Sequence, residues 1–183
     1  MVGLLAAFAV VNFPDALILL RLNDIVFSLA EVILAYVGYN VVYALGSYPA
    51  GSLADRIPTH AVFGIGMIFF AVGYIGLGLT TDKVSAWLIL GLYGLFAACT
   101  DGVGKAWISE LGPAEQQSSA QGIFQGATGI AVLSAGLWAG LLGARGQLPL
   151  LISGIAGGVF AAILLFLSAG PWIRAKSDAA SVN

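Results

Sequence analysis

The chain is written in long apolar runs separated by short polar breaks. Six runs can be marked: Val2–Leu20, Leu29–Leu53, Ala61–Leu79, Ala86–Ser109, Ala120–Leu142 and Leu148–Ala169. Each is close to the roughly 20 apolar residues that a helix needs to cross the hydrocarbon core of a bilayer. The runs do not alternate apolar and polar residues, as the strands of a membrane barrel would. The breaks between them carry helix-end chemistry. Ser28-Leu29-Ala30-Glu31 reads as a capping box, with the serine and the glutamate each satisfying the other's backbone amide. Pro58, Pro113 and Pro149 stand where a first helical turn tolerates proline. Thr80–Lys83 and Gly143–Gly146 read as tight polar turns, and Gly170-Pro171 closes the last run. The pattern predicts an all-α polytopic membrane protein. Residues 1–170 form its six-helix membrane domain and 171–183 a polar tail.

Composition removes the soluble alternatives. Of 183 residues, 60% are hydrophobic and 9% charged, with a mean hydropathy of +0.98. Soluble domains carry roughly 25% charged residues. A net charge of −2 offers no basic field for nucleic acid. Cys99 is the lone cysteine and His60 the lone histidine, which argues against a disulfide framework and a Cys- or His-based metal site. No cofactor and no catalytic group is expected. The apolar N-terminus lacks a basic lead and a small-residue cleavage site, and is not read as a signal peptide.

The informative positions are then the polar ones inside the runs. The first run holds Asn12, Pro14 and Asp15. A carboxylate inside a span is costly and normally faces the bundle interior or a water-filled cavity. Asp15 reads equally as a buried acid satisfied by Asn12 or freed backbone, and as a functional group. Pro14 interrupts the local hydrogen-bond ladder. Arg21 and Asp24 follow near the exit, with Arg21 expected to snorkel as an end anchor. The second run carries Tyr36, Asn40, Tyr43 and Ser47 on one face, a stripe about 16 Å long. In the fourth run Tyr93, Ala97, Asp101 and Lys105 follow at four-residue steps, an arrangement that favours an Asp101–Lys105 ion pair. Trp107 fits an aromatic belt at the membrane surface. The fifth run aligns Ser118, Gln121, Gln125 and Thr128, with Gly122/Gly126 and Gly136/Gly140 suited to close helix contact. Runs three and six lack polar faces and are expected to meet lipid. Two inner helices followed by one outer helix, twice over, suggests a 3+3 inverted repeat, a known transporter architecture.

Between runs two and three stands Gly51-Ser52-Leu53-Ala54-Asp55-Arg56, expected as a charged loop. It resembles the loop signature of the major facilitator superfamily, G-x-L-a-D-r. Asn12-Phe13-Pro14-Asp15 with Leu19-Leu20-Arg21, and Thr100–Ala106 with Glu110-Leu111-Gly112-Pro113, resemble the first and fourth helices of the second half in a group of bacterial permeases. The chain departs from the pattern after Arg56, where Ile57-Pro58-Thr59-His60 replaces a glycine and two basic residues. It departs again at Glu115–Ser118, which lack the usual arginine. The family has twelve spans, so six would be missing. The resemblance implies half of a secondary transporter in a bacterial inner membrane, with both termini cytoplasmic, moving a small solute by alternating access. It implies a partner as well, either a second six-helix half or a homodimer mate, with lipid around both. Asp15, Asn12, Tyr93, Asp101 and Lys105 would then line the cavity, and Asp15 would be the better proton carrier. Two other classes stay open. One is a non-transporting fragment that needs a partner half. The more remote one is an intramembrane enzyme, for which no serine faces a general base in an adjacent span.

Overall fold

The structure is a computed structural model and describes residues 8–13, 15–25, 27–110, 116–142 and 147–168. All regular structure among them is helical. Six helices follow in chain order: α1 (Asp15–Asp24), α2 (Leu29–Ala54), α3 (Thr59–Leu79), α4 (Lys83–Glu110), α5 (Gln117–Leu142) and α6 (Leu148–Ser168). All except α1 are long and apolar enough to cross a bilayer. The chain is an integral, multi-pass, all-α membrane protein. The tail 171–183, Pro14, Pro113 and the turn 143–146 lie outside the described residues.

The first run is not one helix. Phe8 and Ala9 are helical, Val10–Phe13 leave the helix, and α1 begins at Asp15. The amides of Val11 and Asn12 both turn back to the Phe8 carbonyl, at 2.9 and 3.2 Å. Two carbonyls of this break, those of Val10 and Phe13, take side-chain donors.

Helix ends are closed largely by side chains. Ser28 and Glu31 form the expected capping box, at 3.3 and 2.6 Å. Glu31 also holds Lys83 at 2.8 and 3.0 Å, which ties the start of α2 to the start of α4. Asp82 accepts from the Ser85 amide at 2.8 Å, and that backbone bond holds its carboxyl below the usual range. Arg21 is not a snorkelling anchor. It is only 9% exposed and donates to the carbonyls of Leu77, Gly78 and Thr80 at 3.1, 3.4 and 3.0 Å. The last carbonyls of α3 have no intrahelical donor, and a cation suits the negative end of the helix dipole. Gly51–Ala54 belong to α2, so the expected loop shrinks to the turn at Asp55–Pro58, with Asp55 as its C-cap. The amide of Asp55 still reaches the Gly51 carbonyl, so the ladder runs on through the glycine.

The packing reverses the expectation for run three. α3 is the most buried span, at 61%, while α2 and α5 are buried by only 17% each. α3 packs most extensively against α6 and α4, and α4 packs in turn on α2. The reason is shape. Between helices surrounded by lipid, close packing replaces the hydrophobic drive, and small residues permit it. At Gly154 of α6 a Cβ would stand 2.6 Å from Ile75 Cγ1 and 3.0 Å from the Ile75 amide. At Gly66 of α3 it would meet Cys99 and Thr100 of α4 at 2.8 Å, and at Gly94 of α4 the Tyr39 carbonyl of α2 at 2.9 Å. α3 keeps a narrow lipid-facing edge at Ile68, Val72 and Leu79. In α5 the close contact runs through the buried ladder Ala131, Ala135 and Ala139. Gly122, Gly126 and Gly140 face open space. Trp107 is buried against Phe63, not set in a surface belt.

Gly154→Ala forces Ile75 and the α3 backbone to move and should cost about 1–3 kcal/mol. Gly91→Ala, where a Cβ meets nothing within 4 Å, should leave stability level or raise it by up to about 1 kcal/mol. Melting curves of the two variants in detergent check this: Gly154→Ala lowers the midpoint and Gly91→Ala does not.

Candidate functional site

The site is built around the break at Val10–Phe13. Trp138 of α5 donates its indole N–H to the Val10 carbonyl at 2.9 Å, across 128 residues of sequence. The Tyr74 hydroxyl of α3 stands 3.4 Å from both the Phe13 carbonyl and Asn12 Oδ1. Hydrocarbon offers backbone no partner, so a break inside a span persists only where protein or cavity water satisfies it. Asn12 is thereby held at the mouth of the break and Asp15 in the first turn after it.

Asp15 accepts from the Tyr93 hydroxyl of α4 at 3.3 Å, and the Tyr39 hydroxyl of α2 also approaches it. Tyr93 is buried and fixed by its ring, stacked on Tyr39 at 5.4 Å and on Phe96 at 5.3 Å. Aromatic pairs of this kind contribute about 0.5–1.5 kcal/mol beyond area burial. Their rigidity aims the Tyr93 hydroxyl.

Two turns further along α4, Asp101 and Lys105 face an open cleft of about 490 Å³ between α4, α5 and the break. Asn12, Thr100, Gln125 and Thr128 line it too, with Phe8, Phe96 and Phe124 as its apolar wall. The expected Asp101–Lys105 ion pair does not form. Among the described residues the ion pairs are Arg21–Asp24 and Glu31–Lys83. Both side chains of the unformed pair are exposed to the cleft, where space lets them extend separately. The Tyr43 hydroxyl approaches Asp101 instead.

The sequence grouped further residues that the structure separates. Asn40 and Ser47 turn back to their own helix, donating to the Tyr36 and Tyr43 carbonyls at 2.8 and 2.7 Å. Such back-bonding satisfies a polar side chain without a second helix. Gln121 leaves the cleft wall to donate to the Lys105 carbonyl at 2.7 Å, and Gln117 beside it donates to the Ser109 carbonyl at 3.2 Å. These two glutamines lock the start of α5 to the end of α4. Asp55 and Arg56 are exposed at the end of α2 opposite its Ser28 cap. Sequence reasoning missed Tyr74 and Trp138 as site residues. The one signal for them was a polar tip in an otherwise apolar span.

A bundle of membrane-spanning helices beside a cleft with polar and charged lining, with a broken helix at its edge, defines a class: polytopic all-α membrane proteins. Similarity to known proteins narrows it. The profile described as Major Facilitator Superfamily matches residues 1–182, and the chain belongs to that family. It is 32% identical over 143 residues to an uncharacterized MFS-type transporter of Methanocaldococcus jannaschii. The matched region is 75% of this chain and 36% of that protein, so the chain spans about a third of its relative's length. No solved structure gives a significant match.

Tyr93→Phe removes the donor to Asp15 but keeps the stacked ring. A hydrogen bond of this kind between membrane helices is worth about 0.6 and at most about 1.7 kcal/mol. Tyr93→Ala also removes the ring and should cost about 3–5 kcal/mol. Equilibrium unfolding in mixed micelles separates the two, and equal losses would mean that Tyr93 matters only as a donor.

Proposed function

We propose that this chain forms one six-helix wall of an alternating-access transporter for a small solute. The observation that carries the reading is the cleft, where Asn12, Asp101, Lys105 and Gln125 converge beside the broken first helix. Discontinuous helices at a polar cavity are a recurrent way for transporters to hold substrates and coupling ions. The 3+3 repeat belongs to this reading, as do the second-half assignment and the cytoplasmic placement of the Asp55–Arg56 turn and both termini in a bacterial inner membrane. The opposing wall is a second six-helix half or a second copy of this chain. The low burial of α2 and α5 supports it, because Tyr36, Leu45 and Tyr48 of α2 and Ile130, Leu137 and Leu141 of α5 remain exposed. Solute binds in the cleft, and the two walls rock about it.

Asp15 is the coupling group of this reading. Its carboxylate sits beside the break with the Tyr93 hydroxyl as partner, within one membrane-spanning bundle, where it can take up and release a proton as the walls move. Membrane vesicles from the native host, loaded with a pH-sensitive dye, test both parts. Solute addition should move protons in vesicles carrying the unaltered chain. Asp15→Asn should abolish that proton movement and the pH dependence of uptake, while solute binding persists. Uptake by Asp15→Asn at the same rate and with the same pH dependence would remove Asp15 from the role. No solute-dependent flux in the unaltered vesicles would remove the transport reading.

A further inference from the structure

We propose that the cleft takes an amphipathic zwitterion: a molecule with a carboxylate and an ammonium group side by side next to an aromatic or branched apolar group, as in an apolar amino acid. The proposal rests on the transport reading and names the substrate class of the same site. Three observations carry it. Asp101 and Lys105 stand one turn apart on α4, both open to the cleft and not paired with each other. Side chains at that spacing lie about 5–6 Å apart at their Cβ atoms. That is close enough for one small molecule to answer both charges, its ammonium on Asp101 and its carboxylate on Lys105. The wall they form is neutral in sum, and Asp15 is turned to Tyr93 and is not among the lining residues. A singly charged ligand would therefore leave one of these two charges unanswered. A zwitterion leaves none.

The second observation is on the facing wall. Thr128 Oγ1 of α5 is buried without a hydrogen-bond partner among the described residues, and Thr128 and Gln125 both line the cleft. A buried hydroxyl without a partner is a destabilising feature unless something binds it. The polar head of the ligand supplies that partner. The third is the aromatic end. Phe8, Phe96 and Phe124 line the same cleft, and its volume of about 490 Å³ lies in the range of small-molecule sites. An aromatic or branched side chain fits against those rings while the charged head reaches α4.

The purified chain in lipid nanodiscs tests this with radiolabelled L-phenylalanine as probe. Competitors are unlabelled L-phenylalanine, N-acetyl-phenylalanine as the anion, phenylalanine amide as the cation at mildly acidic pH, and the doubly capped neutral form. Charge-assisted hydrogen bonds are strong enough that each capped form should compete about tenfold more weakly, or worse. Asp101→Asn should erase the preference over N-acetyl-phenylalanine, and Lys105→Gln the preference over the amide. Should a variant fail to fold, as its melting curve would show, the capped series on the unaltered chain still decides. Binding of a singly charged form as tight as that of L-phenylalanine would overturn the zwitterion while leaving the cleft a solute site. Absence of binding by the whole panel would also overturn it, and the vesicle flux experiment would then decide separately whether the chain transports.

Discussion

Backbone carbonyls freed inside a lipid-facing bundle must find donors, and the rest of this structure is arranged around that requirement. The first apolar run leaves the helix at Val10–Phe13. Trp138 answers Val10 and Tyr74 answers Phe13. Arg21 answers the same need at the end of α3, where Leu77, Gly78 and Thr80 expose their carbonyls. Each unmet group in hydrocarbon would cost several kcal/mol. The donors therefore fix where α1 lies against α3 and α5, and with it where Asn12 and Asp15 point.

A second constraint, close packing, decides which helices carry those donors. Glycines bring α3 against α4 and α6, so closely at Gly66, Gly154 and Gly157 that a Cβ would not fit, and this slab buries Tyr74, Phe70 and Tyr93. Their rings form a continuous aromatic column, with Phe70 and Tyr74 only 4.0 Å apart. α5 stands off the slab while α2 packs closely on α4, and the gap between α4, α5 and the break is the cleft.

Much of this was legible in the sequence because it is local. The last five apolar runs located their helices and Ser28–Glu31 announced its capping box; of the intramembrane polar residues, Asn12 and Asp101 line the cleft and Asp15 meets Tyr93. What failed is long-range. Pro14 marked an interruption near the right place, but the donors that hold the break come from α3 and α5. Arg21 looked like an end anchor because its carbonyl partners lie 56 to 59 residues away. α3 looked lipid-facing because polarity was used as the sign of burial. In a membrane it is the small residues that bury a helix, and Gly66, Gly73 and Gly154 carried that information unread. The Asp101–Lys105 spacing was read correctly as a geometry and wrongly as a bond, since only the structure shows the open cleft beside it.

The fold and its cleft depend most on the break and its two donors. Solid-state NMR of the chain in bilayers, with carbonyl ¹³C labels at Val10 and Phe13, measures them directly. Both carbonyls should show non-helical, hydrogen-bonded shifts. Trp138→Phe should move the Val10 signal alone, and Tyr74→Phe the Phe13 signal alone. Helical shifts at both positions, indifferent to either substitution, would contradict a break held by these donors.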